Sequence, residues 1–233
     1  MFPTNQNTVI LIPARAGSKG VPDKNSRLFA NGPSLTERTI LLAKDVLPLH
    51  QIILSTDDNN LIELGKSHSI SVRQRPDELA SDTSGMTEVI MDALSHFEIA
   101  AEFLILLQPT SPFRDVNHIK NAMLTFHEED DAIVSVHMPT GHPSYTLFSE
   151  QNGHIHKLSA GEQIRRQDLQ TIYEVNGLIY IFRISALREK PWTHFTKIRP
   201  FVIPKTRALD IDTLEDWWLA ETLYPSILTF PFD

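Results

Sequence analysis

Two short apolar runs set the terms for this chain. Thr8-Val9-Ile10-Leu11-Ile12 and Phe103-Leu104-Ile105-Leu106-Leu107 carry no polar alternation, as expected of strands buried on both faces of a parallel sheet. Such strands need helices on both sides, and the segments between them supply these. Ser34-Leu35-Thr36-Glu37 has capping-box spacing and leads into Ile40, Leu41, Leu42, Ala43 and Val46, an amphipathic helix. A strand over Gln51 to Ser55, a helix over Leu61 to Lys66, a short strand over Ile70 to Arg73 and a helix over Met86 to Phe97 follow. A helix from about Val116 to His127 and a strand over Ala132 to Val136 continue the alternation. The expected fold is α/β: a Rossmann-like, doubly wound, mostly parallel sheet with ligands at the carboxyl ends of its strands.

Between Pro139 and Arg199 the pattern loosens into strand-like pieces at Tyr145 to Phe148, His154 to Leu158 and Leu178 to Phe182. We read residues of about 139 to 199 as an inserted antiparallel arm within a single domain spanning 1–233. The chain then returns through Pro200 to Pro204 and a strand over Ala208 to Asp212, before a last helix from Thr213 to about Leu223.

The 233 residues include no cysteine, which excludes a disulfide framework, a thiolate zinc site and a catalytic thiol, and suits a reducing cytoplasm. No apolar run approaches the roughly 20 residues that span a bilayer, and Met1 to Asn7 lacks the basic and apolar regions of a signal peptide. A formal charge of −8 argues against a nucleic-acid surface, which needs an extended basic footprint. Charge is nevertheless uneven. Arg15, Lys19, Lys24 and Arg27 crowd together with only Asp23 against them, so the expected ligand is a small polyanion such as a nucleotide.

That cluster lies in Pro13-Ala14-Arg15-Ala16-Gly17-Ser18-Lys19-Gly20-Val21-Pro22-Asp23-Lys24-Asn25, directly after the first strand. Gly17 and Gly20 let the backbone approach phosphates, while Arg15, Lys19 and Lys24 neutralise them. It is not a Walker A loop, since Ser18 precedes Lys19. Asp210 and Asp212, two apart on the expected strand, share a face and can hold one hard cation through oxygen, magnesium with manganese as a substitute. The alternative duty for one of them is to cap the following helix, where Thr213 and Asp216 already have capping spacing. Asp57 and Asp58 follow a strand end, and at least one is expected to cap a helix.

The basic loop resembles the signature of the acylneuraminate cytidylyltransferases, which make CMP-sialic acid and related CMP-nonulosonates. Arg75-Pro76-Asp77-Glu78-Leu79-Ala80-Ser81-Asp82-Thr83 and Leu107-Gln108-Pro109-Thr110-Ser111-Pro112-Phe113-Arg114 resemble that family's second and third blocks. Arg166-Gln167-Asp168-Leu169, Asn176-Gly177-Leu178-Ile179-Tyr180 and Asp210-Ile211-Asp212-Thr213 are similar to the other three. The resemblance implies attack of a sugar's anomeric hydroxyl on the α-phosphate of CTP. Arg15 and Lys24 would neutralise the growing charge, and Ser18 and Lys19 would hold the β- and γ-phosphates. Ala14, Gly17 and Asn25 would complete the loop, with Arg75, Ser81 and Gln108 near the cytidine or phosphates. Gln108, Arg166, Gln167 and Tyr180 would meet the acidic sugar.

The resemblance also implies a homodimer built by the arm, for which Phe148, Ile155, Leu158, Ile164, Trp192 and Phe195 are suitable apolar residues. The sequence departs from the family at Tyr145, where a lysine is frequent, at Glu174-Val175 and at Ser84-Gly85-Met86. These positions bear on which sugar is used: N-acylneuraminic, legionaminic, pseudaminic acid or Kdn. Three readings compete. A haloacid-dehalogenase-like phosphatase needs its Asp-x-Asp on the first strand, a glycosyltransferase usually carries it mid-chain, and a non-catalytic nucleotide-binding module would bind CTP without releasing pyrophosphate.

Overall fold

A computed structural model describes residues 1–80, 85–158 and 170–227. Seven strands form one sheet in the order β11-β7-β10-β6-β1-β4-β5. They are β1 (Thr8–Pro13), β4 (Ile52–Thr56), β5 (Ser71–Gln74), β6 (Phe103–Leu106), β7 (Ala132–His137), β10 (Glu174–Arg183) and β11 (Ile198–Val202). β2 (Leu28–Phe29) pairs with β3 (Gly32–Ser34), and β8 (Phe148–Gln151) with β9 (His154–Lys157), as two small antiparallel ribbons.

The unbroken apolar runs are explained by two-sided burial. In β1, Ile10 and Ile12 point into a core that also holds Ile40 and Ala43 of α1 (Leu35–Lys44), Leu61 of α2 (Asn59–Ser67) and Ile119 and Ala122 of α4 (Val116–Leu124). Val9 and Leu11 point to the other face, against Ile90, Ala93 and Leu94 of α3 (Met86–His96) and Ala186 and Leu187 of α5 (Ile184–Glu189). At roughly 1.5–3 kcal/mol for each fully buried aliphatic side chain, these two layers fix the sheet. A third, smaller cluster joins Val21, Phe29, Leu35 and Phe113 to Ile211 and to Trp217 and Ala220 of α6 (Leu214–Ile227). It ties the chain's end to the segment that follows the basic loop.

β1 pairs in parallel with β4 on one side and β6 on the other. The loops leaving β1 and β6 therefore diverge and open a crevice, the usual ligand position in a doubly wound sheet.

The structure corrects three expectations. Leu178 to Phe182 does not leave the sheet as part of an arm: it belongs to β10, which inserts antiparallel between β6 and β7. Its apolar residues demanded two-sided burial, and Leu178, Ile179, Ile181 and Phe182 have it. Of the expected excursion over 139–199, the β8–β9 ribbon is the described part that carries strands outside the sheet. Phe195 and Trp192 do not face outward: Phe195 is buried against Phe182, and the Trp192 ring lies 5.4 Å from that of Tyr180. Phe148, Ile155 and Leu158 remain exposed, whereas Ile164 lies outside the described residues. Finally, Ala208 to Asp212 is not a strand; Ile211 N–H donates to the Thr110 carbonyl at 2.9 Å, which anchors it beside the loop after β6.

Candidate active site

The crevice between β1 and β6 is a cleft of about 330 Å³ lined by Pro13, Arg15, Ser18, Lys19, Gly20, Lys24, Asn25, Arg75, Met86, Gln108 and Asp212. Among the described residues, four cations face one carboxylate, a balance suited to a polyphosphate.

The basic loop is held from outside itself. Ala16 N–H donates to Asp57 Oδ1 at 2.8 Å, and Asn25 Nδ2 donates to the Arg15 carbonyl at 2.9 Å. Asp57 thus positions the loop while its neighbour Asp58 caps α2, accepting from Asn60 N–H. Gly20 is required by close approach: a Cβ there would lie 1.9 Å from the Asp212 carbonyl oxygen. The loop is thereby pressed against the Asp210–Asp212 segment.

Lys24 is buried, and its ammonium donates to the Ile211 carbonyl at 2.5 Å and to Asp212 Oδ1 at 3.0 Å. Arg75 is buried beneath the loop, donating through Nη2 to the Ser55 carbonyl. Burial lowers its pKa, nearby Asp57 opposes this and Arg15 adds to it. Two guanidiniums thus crowd one wall of the cleft.

Asp212 lines the cleft and Asp210 lies deeper, with Oδ1 buried and unpartnered. Burial raises the pKa of Asp210; a hydrogen bond with Thr110 opposes this, Asp212 adds to it and Lys24 counters it. The helix-capping duty falls elsewhere. Asp216 accepts from Asp212 N–H and Thr213 N–H, and Thr213 Oγ1 accepts from Asp216 N–H. Both carboxylates of the Asp-x-Asp pair are spared that role.

Because β10 runs against its neighbours, its N-terminal end reaches the ligand side of the sheet. There Asn176 to Ile179 form a bulge opposite Ser135. Ser135 Oγ donates to Asn176 Oδ1 at 2.6 Å and accepts from Ile179 N–H, while Asn176 Oδ1 also accepts from Leu178 N–H. Gly177 adopts φ +76°, and a Cβ there would meet Gln108 Oε1 at 3.4 Å and Asp210 Oδ2 at 3.7 Å. The Asn-Gly pair is therefore a backbone device that brings the bulge against two site residues.

Sequence reasoning missed a supporting residue, Arg114. It is fully buried and donates to the carbonyls of Leu178 and Gln108 and to Thr39 Oγ1. Burial pulls its pKa down to about 9, opposed by Asp210, so it stays charged at neutral pH. It ties β10 to the loop bearing Gln108; the available signal was an arginine closing an otherwise apolar Pro-Phe-Arg step after a central strand. Met86 at the start of α3 was also missed as a lining residue.

Arg15, Ser18, Lys19, Lys24, Asn25, Arg75, Gln108 and Asp212 come together in this cleft. Ala14 instead packs in the core, and Gly17 is not among the lining residues. Tyr180 is likewise not brought into the cleft. Its ring stacks with Phe182, and burial pushes its hydroxyl up to about 12, with Asp210 contributing. Ser81, Arg166 and Gln167 lie outside the described residues.

The family described as Cytidylyltransferase matches residues 9–219. An N-acylneuraminate cytidylyltransferase of Streptococcus agalactiae serotype V is 38% identical over 90% of this chain and 51% of its own length. The chain thus spans about half of that relative. A CMP-N,N'-diacetyllegionaminic acid synthase of Legionella pneumophila is 32% identical over 91% of this chain and 94% of its own. Among solved structures, a CMP:2-keto-3-deoxy-manno-octonic acid synthetase complexed with CTP superposes with a TM-score of 0.68 at 17% identity, covering 94% and 99% of the two chains. At that identity the likeness bears on the fold alone.

Proposed function

The chain belongs to the cytidylyltransferase family, and from that premise we propose that it couples a nine-carbon acidic sugar to CTP, giving a CMP-sugar and pyrophosphate. The observation that carries this reading is the cleft at the β1–β6 switch point, where Arg15, Lys19, Lys24 and Arg75 converge.

In this reading the triphosphate lies along the basic loop, with Ser18 and Lys19 on the β- and γ-phosphates. The sugar's anomeric oxygen forms a bond to the α-phosphorus, the bond from that phosphorus to the bridging oxygen breaks, and pyrophosphate leaves. Negative charge grows on the phosphoryl oxygens as this happens. Arg15 and Lys24 are fixed before the reaction, Lys24 by the Ile211 carbonyl and Asp212, so they stabilise that charge without reorganising. Gln108 orients the substrates from the opposite wall.

The Asp-x-Asp pair suits a magnesium ion: Asp210 has an unpartnered buried carboxylate oxygen, and Asp216 performs the helix capping. Two carboxylates plus substrate phosphates are the usual donors for that ion. Magnesium, or manganese in its place, would screen the triphosphate and lower the pKa of the attacking hydroxyl. Asp210 and Asp212 would hold it.

We assign the protein to the cytoplasm and to a homodimer; no helix among the described residues is long and apolar enough to cross a membrane. For the sugar, a second reading is N,N'-diacetyllegionaminic acid, favoured by the near full-length match in both directions to the Legionella synthase.

The test is pyrophosphate release with CTP and magnesium, screened against N-acetylneuraminic, legionaminic, pseudaminic, Kdn and Kdo acids. Release with one nine-carbon sugar is expected, and Lys24→Ala should lower its turnover by about two orders of magnitude. CTP binding without release for any sugar would overturn the catalytic reading, and near-normal turnover of the variant would remove Lys24 from the site.

A further inference from the structure

A second cavity, of about 280 Å³, opens away from the cleft. It is lined by Pro33, Arg38, Leu41, Pro112, Phe113, Arg114, Asp115, Arg207, Tyr224 and Ile227. Among the described residues, three arginines face one aspartate. The rest of the wall is apolar or aromatic.

The three guanidiniums differ in what they already do. Arg38 donates to the carbonyls of Pro33 and Phe29, hydrogen-bonds the Tyr224 hydroxyl and lies over the Phe29 and Tyr224 rings. It is committed to the fold. Arg114 holds β10 and the loop after β6, but its Nε is buried without a partner. Arg207 has no hydrogen bond or ion pair from its side chain among the described residues, and its Nε is also buried without a partner. Asp115, the one carboxylate among the described residues of the wall, is occupied with capping α4, accepting from His118 N–H.

A guanidinium in a cavity wall with no acceptor for its fork is unsatisfied, and that fork is shaped to bind an oxyanion. The apolar wall of Leu41, Phe113 and Ile227 requires more of a ligand than a bare ion. We propose that this cavity is a second ligand site, for a small organic anion whose carboxylate or phosphate head binds Arg207 and whose apolar body lies against Leu41, Phe113 and Ile227. None of these four residues lines the cleft, so the site stands whatever reaction the cleft performs.

The probes are phenyl phosphate and benzoate, titrated by calorimetry into the full chain with the cleft saturated by CTP and magnesium. Binding of at least one is expected to persist under saturating CTP. Arg207→Gln should weaken it by about tenfold or more, as for a lost charge-assisted hydrogen bond. Leu41→Trp, which fills the cavity from its apolar wall, should weaken it similarly. Both variants should melt within a few degrees of the parent, which separates lost binding from lost fold. Binding that CTP abolishes, affinity unchanged in Arg207→Gln, or no binding of either probe at about 10 mM, where even millimolar affinity is visible, would each overturn the proposal. Retained binding of phenyl phosphate with loss of benzoate would identify the head group as phosphate, and the converse as carboxylate.

Discussion

Asp210 shows how a single side chain can be costly to the fold and suited to the site. Its folded pKa is raised, chiefly by burial, so the folded chain binds that proton more tightly than the unfolded chain does. The stability this group contributes is present below its unfolded pKa and lost as pH rises through the raised folded value. Above that raised value the penalty is expressed. Asp210→Asn should therefore melt higher than the parent at neutral pH, by about 2–4 °C for each kcal/mol relieved in a chain of this size, and the gap should close in acid. An unchanged or lower midpoint at neutral pH would reject this account. If Asp210 holds magnesium as proposed, the magnesium requirement of the same variant should rise, because a hard anionic donor is gone. At this scale the sequence was informative where chemistry is local: the basic loop and Asp-x-Asp could be named from residue type and spacing. Tyr180 and Ala14 were misplaced because residue type does not say which face of the sheet a side chain occupies. Arg114 was missed because its value lies in three backbone and hydroxyl partners far apart in the chain.

Among the elements, β10 was the hardest to place. The flanking strands announce themselves by unbroken apolar runs, and α1, α2, α3 and α4 by period and caps; Ser34, for example, accepts from Glu37 N–H as its spacing requires. β10 instead begins with a bulge, and its partners β6 and β7 lie far earlier in the chain, so its apolar run signals burial without saying which strands it pairs with. The Asp210–Asp212 segment looked like a strand for the opposite reason: its alternation is real, but Ile211 points into the small core below α6 without any ladder. The bulge gives a sharp test. Gly177→Ala imposes a side chain on a left-handed backbone and brings it into contact with Gln108 Oε1, so it should cost about 1 kcal/mol of stability. It should also raise the KM for sugar more than that for CTP in steady-state kinetics. Equal shifts in both constants, or none, would separate the bulge from the sugar side of the cleft.

The whole molecule leaves its exposed apolar side chains unevenly spread. Tyr145, Leu147, Phe148, Ile155 and Leu158 are all exposed on or beside the β8–β9 ribbon, a concentration unusual for a face that meets only water. If two copies pair through it, sedimentation at micromolar concentration should give a dimer, and Phe148→Ser with Ile155→Ser should yield a folded monomer. A monomeric parent would refute the pairing. The central antiparallel strand has a further consequence, one of time rather than geometry. β1, β4, β5 and β6 come from the first half of the chain and pair with one another, whereas β7 is joined to them solely through β10, which pairs with β6. During synthesis β7 emerges well before the strand that must separate it from β6. The ribosome thus exposes an unpaired apolar edge until β10 arrives, and long-range pairing of this kind is slow. The half that carries the basic loop can be assembled early, but the Gly177 bulge, and after it Asp212, can reach the cleft only later.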